Sequence, residues 1–184
     1  RLSKRQELGI ENDFIVGNVA RFSYPKNQDF LIETLPELLK KVPNTKLCFV
    51  GEGCDMQRAK DLAKSLGVYD KILFLGLRND VDELISAFDV FVMTSFYEGL
   101  PLVGVEAQSS GLPCVLSDGI TKETDMTGNV KFLSLDESHE AWADAIASYK
   151  DFKRCDTADA IIKAGYDIST TVEFLTDFYL SHAK

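Results

Sequence analysis

The feature of this chain that most constrains its fold is a repeated switch between two hydrophobic periods. Continuous apolar β-type runs alternate about five times with segments of helical period, and the connections are short. The first β-type run, FIVGNVAR, covers 14–21. In 26–42, Phe30, Leu31, Leu35, Leu38 and Leu39 then fall on one helical face. A strand at 45–50 ends at Gly51, and a helix at 56–66 is stopped by Gly67. A short strand at 71–75 ends at Gly76, and a helix at 81–88 has Asn79 or Asp80 as its cap. The run Asp89-Val90-Phe91-Val92-Met93 opens a strand at 89–94 with the composition of one buried on both faces. A helix at 101–110, stopped by Gly111, leads to a strand at 113–116 and a sixth at 130–133. Helices are predicted near 138–149, 156–165 and 169–182. Strands that alternate with helices through short links build a parallel sheet covered on both faces. The expected fold is α/β, a Rossmann-like three-layer domain with a parallel sheet of about six strands and C-terminal helices. Ligands in such sheets bind beyond the carboxyl ends of the strands. The polar, irregular 117–129 stretch is the expected mobile loop.

The thirteen residues Ser95-Phe96-Tyr97-Glu98-Gly99-Leu100-Pro101-Leu102-Val103-Gly104-Val105-Glu106-Ala107 fall at such an edge. A carboxylate follows the buried strand, a Gly-Leu-Pro turn comes next, and a second carboxylate lies inside the helix. Pro101 suits the first helical turn, where its missing N–H does no harm. A helix start at a strand end is an anion site, because its free N–H groups point outward. Two carboxylates beside it can accept hydrogen bonds from hydroxyls, and anion plus polyol describes a sugar nucleotide. Taken alone, Glu98 and Glu106 read equally well as a loop glutamate and a solvated helix glutamate.

Other turns at the same edge carry further candidates. Arg21 ends the first strand and Lys26 opens the next helix, a pairing that suits a diphosphate. Their plainer reading is two solvated charges. Gly51-Glu52-Gly53 has no third glycine at the dinucleotide spacing, and reads as a tight turn that needs positive φ. Gly76-Leu77-Arg78-Asn79 follows the third strand.

The whole chain has 184 residues, 45% hydrophobic and 27% charged, as expected of one globular domain. Its net charge of −9 argues against a nucleic-acid or anionic membrane surface. It leaves a nucleotide open, since a phosphate needs only a few local donors. Cys48, Cys54, Cys114 and Cys155 show no metal-ligand spacing, and Cys48 and Cys114 sit in apolar core-like runs that suit a reducing compartment. No Asp, Glu or His spacing suggests a metal, and no cofactor is expected. His139 and His182 are expected at the surface, away from these turns. There is no signal segment and no apolar run of spanning length, so direct membrane insertion is not expected. A chain that starts at Arg1 is expected to be an excised piece.

From Glu98 through Glu106 with Gly-Leu-Pro directly after the first glutamate, the chain resembles the family 4, or group 1, retaining glycosyltransferases of GT-B type. The resemblance covers about 8–182. Ser117-Asp118-Gly119-Ile120-Thr121-Lys122-Glu123, Glu140-Ala141-Trp142-Ala143 and Gly165-Tyr166-Asp167-Ile168 are similar to bacterial capsule and exopolysaccharide members. Trp142, at helical spacing from Ile146, is expected in the core. The resemblance implies that Arg21 and Lys26 grip the donor's diphosphate, although Ala20 and Asn27 stand where the family has glycines. It implies that Glu98, the candidate catalytic residue, holds donor-sugar hydroxyls and that Glu106 holds the ribose. The N–H groups of Gly99, Leu100, Leu102 and Val103 would meet the diphosphate and sugar, and Leu77 and Arg78 the nucleobase. The whole would be the single donor-binding, C-terminal domain of a two-domain enzyme whose N-terminal acceptor domain is absent. The hexose of a UDP-hexose donor would pass, with UDP leaving, to a saccharide or lipid-linked acceptor held through the missing domain, in polysaccharide biosynthesis, with no nucleic-acid partner. The location implied is cytoplasmic, peripheral at the inner face of the membrane through the missing domain. The alternatives are a sugar-nucleotide epimerase-like domain and a non-catalytic, flavodoxin-like nucleotide-binding module.

Overall fold

The computed structural model describes residues 1–182. Six strands run through the described residues: β1 (Phe14–Val19), β2 (Thr45–Val50), β3 (Ile72–Phe74), β4 (Val90–Met93), β5 (Cys114–Ser117) and β6 (Val130–Leu133). Eight helices flank them: α1 (Leu2–Leu8), α2 (Gln28–Lys41), α3 (Met56–Ser65), α4 (Val81–Ala87), α5 (Leu102–Ser109), α6 (His139–Ala147), α7 (Ala158–Lys163) and α8 (Ile168–His182). The sheet order is β3-β2-β1-β4-β5-β6, and every pairing is parallel. The chain therefore winds outward from β1 to one edge, returns, and winds to the other. The point of reversal lies between β1 and β4.

Two cores lie on the two faces, and the strand period of two sorts residues between them. Val16, Leu47, Phe49, Val90 and Val92 face α2, α3 and α6. Ile15, Cys48, Val50, Phe91 and Met93 face α4 and α5. Gly17 has no room for a side chain, because an added Cβ would stand 1.9 Å from the Phe88 ring. Trp142 on α6 is fully buried, meets the Phe30 ring edge-on at 5.3 Å, and donates its indole N–H to Ser134 O at 2.9 Å.

Four features depart from the sequence reading. α1 has no apolar stripe to announce it and is held by charge: Arg5 donates to Ala87 O at 3.0 Å and pairs with Asp89 at 3.1 Å. β1 ends at Val19, two residues before the predicted end, although the Ala20 N–H still donates to Val50 O at 3.0 Å. Pro101 is extended (φ −73°, ψ 109°) and precedes α5 instead of lying in its first turn. The expected mobile loop is tied down by Gln108, fully buried on α5. The Gln108 amide donates to Thr124 O at 2.6 Å, and its oxygen accepts from the Met126 N–H at 2.9 Å.

Every residue of α8 is exposed, including Val172, Leu175, Phe178 and Tyr179, the apolar positions that helical spacing predicts to lie together.

Because Trp142 fills the layer between α2 and α6, Trp142→Ala should cost about 3–5 kcal/mol of unfolding free energy. Urea denaturation followed by circular dichroism measures this, and a loss under about 1 kcal/mol would show that the packing is not what holds α6 in place.

Candidate functional site

β1 and β4 pair only through Val16 with Val90 and Gly17 with Phe91. Above that register the Asn18 side chain, itself buried, donates to Val92 O at 2.8 Å and closes the last gap. The chains then part, to α2 on one face and α5 on the other. The crevice between them is the switch-point site expected of an open parallel sheet.

A short 3-10 turn, Tyr24–Lys26, rises on one side of this crevice with Pro25 stiffening it. It ends at Asn27 with φ 48°, a left-handed conformation that asparagine tolerates and glycine prefers, so asparagine serves where the family has glycine. The opposing loop is pinned to this turn. The Phe96 N–H donates to Pro25 O at 2.9 Å, and the Thr94 hydroxyl donates to Asn27 O at 2.8 Å. The result brings two predicted residues together: the Lys26 ammonium pairs with Glu98 Oε1. The Ser95 hydroxyl donates to the same oxygen at 3.0 Å. The side chains of Lys26 and Glu98 are 27% and 15% exposed, so each is largely drawn out of water and neutralised by the other.

Just beyond Glu98 lies the start of α5. Gly99, Leu100 and Leu102 are exposed and Val103 is half-buried. Among the described residues, the N–H groups of these four donate to no protein acceptor. Glu106 is exposed on the second turn of α5, where it lines a groove of about 300 Å³ with Asn79, Val81 and Ile85. The two glutamates therefore stand before and after one helix start.

Arg21 is exposed and, among the described residues, has no carboxylate partner. It lines a cavity of about 430 Å³ with Gly51, Glu52, Gly53 and Leu77. The glycines there are steric necessities. Gly51 has φ 128°, and an added Cβ would lie 2.2 Å from Ala20 O; at Gly53 it would lie 2.0 Å from Phe22 O. The expected positive φ is met at Gly51, but the segment Gly51-Glu52-Gly53 is not itself a tight turn. It runs on beside the end of β1, where the Phe22 N–H donates to Glu52 O at 3.0 Å, and the chain turns only at 53–56, where the Met56 N–H donates to Gly53 O at 3.2 Å. The Gly51 N–H donates to Gly76 O at 2.8 Å, which draws the Leu77 turn to the same wall. Leu77 is 75% exposed at that wall. Arg78 is not brought there. Its guanidinium grips Asp80 at 2.7 and 2.6 Å and reaches Glu7 at 3.2 Å, leaving only backbone groups of Arg78 for the cavity side.

Sequence reasoning missed Ser95 and Asn18. Ser95 stands three residues before Glu98 in a loop, a spacing that fits a local hydrogen bond. Asn18 is a lone amide inside a β-type run, and a buried amide must find a partner. A further cavity, of about 580 Å³, lies apart between α7 and the 122–126 turn and touches only Leu100 of the predicted residues.

Burial pushes the Cys48 thiol up to about 12 and raises Cys114 further, so neither ionises near neutral pH. Among the described residues no cluster of His, Cys, Asp and Glu is placed to hold a metal ion. No helix among them is long and apolar enough to cross a membrane.

The site and sheet thus define a doubly wound α/β domain with a cation-lined crevice at its switch point. The family described as "Glycosyl transferases group 1" matches residues 1–167, and the chain belongs to it. The putative glycosyltransferase EpsF of Bacillus subtilis is 39% identical over 176 residues, covering 93% of this chain and 46% of that protein. The UDP-Gal:alpha-D-GlcNAc-diphosphoundecaprenol alpha-1,3-galactosyltransferase of Escherichia coli is 34% identical over 119 residues, covering 62% of this chain and 31% of that protein. HepE of Anabaena, solved in complex with UDP, superposes with a TM-score of 0.78 at 26% identity, over 97% of this chain and 52% of that one. The chain spans about half the length of EpsF and HepE.

Since the Gly53 Cα lies against the Phe22 carbonyl, Gly53→Ala should force the turn off the β1 end and cost about 1–3 kcal/mol. Thermal denaturation reads the effect, and an unshifted melting temperature would contradict this packing.

Proposed function

We propose that this chain is the donor-binding, C-terminal domain of a two-domain retaining glycosyltransferase that takes a UDP-hexose. The observation that carries the reading is the Lys26–Glu98 pair at the free N–H groups of α5, with Arg21 exposed on the neighbouring turn. The family membership and the UDP bound by HepE support the choice of nucleotide. Retention at the anomeric carbon comes with the family resemblance.

The chemistry follows from where negative charge grows. As the bond from sugar to diphosphate breaks, charge develops on the leaving phosphate. Lys26, Arg21 and the α5 N-terminus would meet that charge, so these residues can stabilise the departing group with no metal between them. Glu98 would accept hydrogen bonds from sugar hydroxyls and orient the ring, and Glu106 would accept from the ribose. Leu77 and the backbone of its turn would border the base. The saccharide or lipid-linked acceptor would be held by the part of the enzyme outside this chain, working at the cytoplasmic face of a membrane. Closure of the two halves would exclude water from the reacting centre.

The ion pair adds a consequence. In the free protein Lys26 is occupied by Glu98, so a diphosphate must draw it away. Lys26→Ala should weaken UDP binding about 10- to 150-fold, the range for a charge-assisted hydrogen bond. EDTA should leave wild-type binding unchanged. Calorimetry decides both, and unchanged UDP affinity in Lys26→Ala removes the lysine from the site.

The two glutamates should separate in competition binding. Glu106→Ala should weaken UDP and UDP-glucose alike. Glu98→Gln should weaken UDP-glucose yet bind UDP as well as wild type or about 2- to 5-fold tighter, because Lys26 is then free for phosphate. Equal losses for both ligands in Glu98→Gln would refute the sugar-side role.

A further inference from the structure

The Leu77 turn forms one wall of the cavity that Arg21 lines, and among the described residues its backbone is tied only at its two ends, by the Gly51 N–H to Gly76 O at 2.8 Å and the Leu84 N–H to Asp80 O at 3.0 Å. The rest of its support comes from outside the crevice, from α1. Asp80 at the end of the turn accepts twice from Arg78 and again from Lys4 Nζ at 2.7 Å. Glu7, one helical turn further along α1, accepts from Lys4 at 2.6 Å and from Arg78 at 3.2 Å. Lys4 also reaches Glu83 on α4 at 2.9 Å.

Lys4 is 7% exposed, an unusual burial for a lysine unless it is paired. Its three carboxylates replace the water it has lost. Asp80 first, then Glu7 and Glu83, hold the ammonium's pKa above lysine's ordinary value. Arg78 first, then Lys4, hold the Asp80 carboxyl well below the usual carboxylate range. Lys4 and Asp80 are therefore both charged across the neutral range. None of it reaches the crevice except through the turn it holds. Among the described residues, the Leu77 N–H donates to no protein acceptor, so the turn keeps a free donor beside its exposed apolar side chain.

We propose that Lys4 is a positioning residue for nucleobase recognition: through Asp80 and Arg78 it fixes the turn from Gly76 to Asp80, and so sets where Leu77 and its backbone meet the base. The inference rests on the nucleotide reading above and deepens it. A turn that reads a base through backbone groups has no side-chain freedom with which to correct its position, so its precision comes from whatever clamps it. Here the clamp is a charge cluster anchored on a helix that apolar packing alone does not explain. A merely structural cluster would stabilise the fold and leave affinity for any part of the ligand indifferent to Lys4.

The test is calorimetry of the chain and of Lys4→Met, Lys4→Arg and Glu7→Gln, with UDP and separately with inorganic pyrophosphate, which has no base. Circular dichroism and melting temperature are read on each variant. Lys4→Met should bind UDP about 3- to 30-fold more weakly while its pyrophosphate affinity stays within about twofold of wild type. Lys4→Arg should restore most of the UDP affinity, and Glu7→Gln, the milder change, should lower it by less than Lys4→Met. Unchanged UDP affinity in Lys4→Met overturns the proposal, as does an equal loss for UDP and pyrophosphate, which marks general loosening of the fold. If the wild-type chain itself binds no UDP, the nucleotide reading falls. If it binds UDP regardless of Lys4, that reading stands and this proposal alone falls.

Discussion

The carboxyl edge of this molecule depends on how little β1 and β4 pair. β1 runs in full register with β2 over six positions, from Phe14 with Thr45 to Val19 with Val50, but meets β4 at only two. Gly17 lets the Phe88 ring close against β1 at that short contact, and the Asn18 amide adds a final tie to Val92. Past it, the two strands have no further ladder, and their loops are joined instead by single bonds, the Phe96 N–H to Pro25 O and the Thr94 hydroxyl to Asn27 O, which bring Lys26 and Glu98 together at the crevice.

Charge is arranged around that crevice with economy. The chain carries a net −9, yet the crevice presents cations. Lys26 is neutralised by the Glu98 carboxylate, so neither stands as an unpaired, largely buried charge. Arg21 needs no such partner because it is exposed to water. Arg78, Lys4 and Glu7 of α1, and the acids Asp80 and Glu83 at and in α4 are consumed in a cluster behind the Leu77 turn. Two arginines at similar strand ends thus have different lives: one remains available to a ligand, and the other is structural.

Much of this was legible from the residues. The runs at 45–50 and 130–133 match strands of the same bounds: β2 is buried at every position but Lys46, as a strand covered on both faces must be, while β6, at the sheet edge, keeps its apolar residues half-buried and Lys131 exposed. Of the reading of Gly51-Glu52-Gly53, the positive φ at Gly51 was legible because it is a local backbone demand, while the turn itself falls later, at 53–56. α1 was not legible. LSKRQEL shows no hydrophobic stripe, and the burial of Lys4 and Arg5 depends on acids about 80 residues away, Asp80, Glu83 and Asp89. The 117–129 segment reads as mobile for the same reason, since its restraint comes from Gln108 on another element.

By itself the sequence determined the kind and order of the elements, the sheet's parallel character and which turns stand at its carboxyl edge. Each of these follows from periodicity and punctuation among residues close in the chain. Only the tertiary structure decided which charges meet. Lys26 reaches Glu98 across 72 positions, Arg78 turns to Asp80 and Glu7 instead of to the crevice, and Lys4 is buried among three acids. Those outcomes come from strand order and from how two loops are pinned together. A side chain's partner is set by what the fold places within reach, and a periodic pattern carries no information about that.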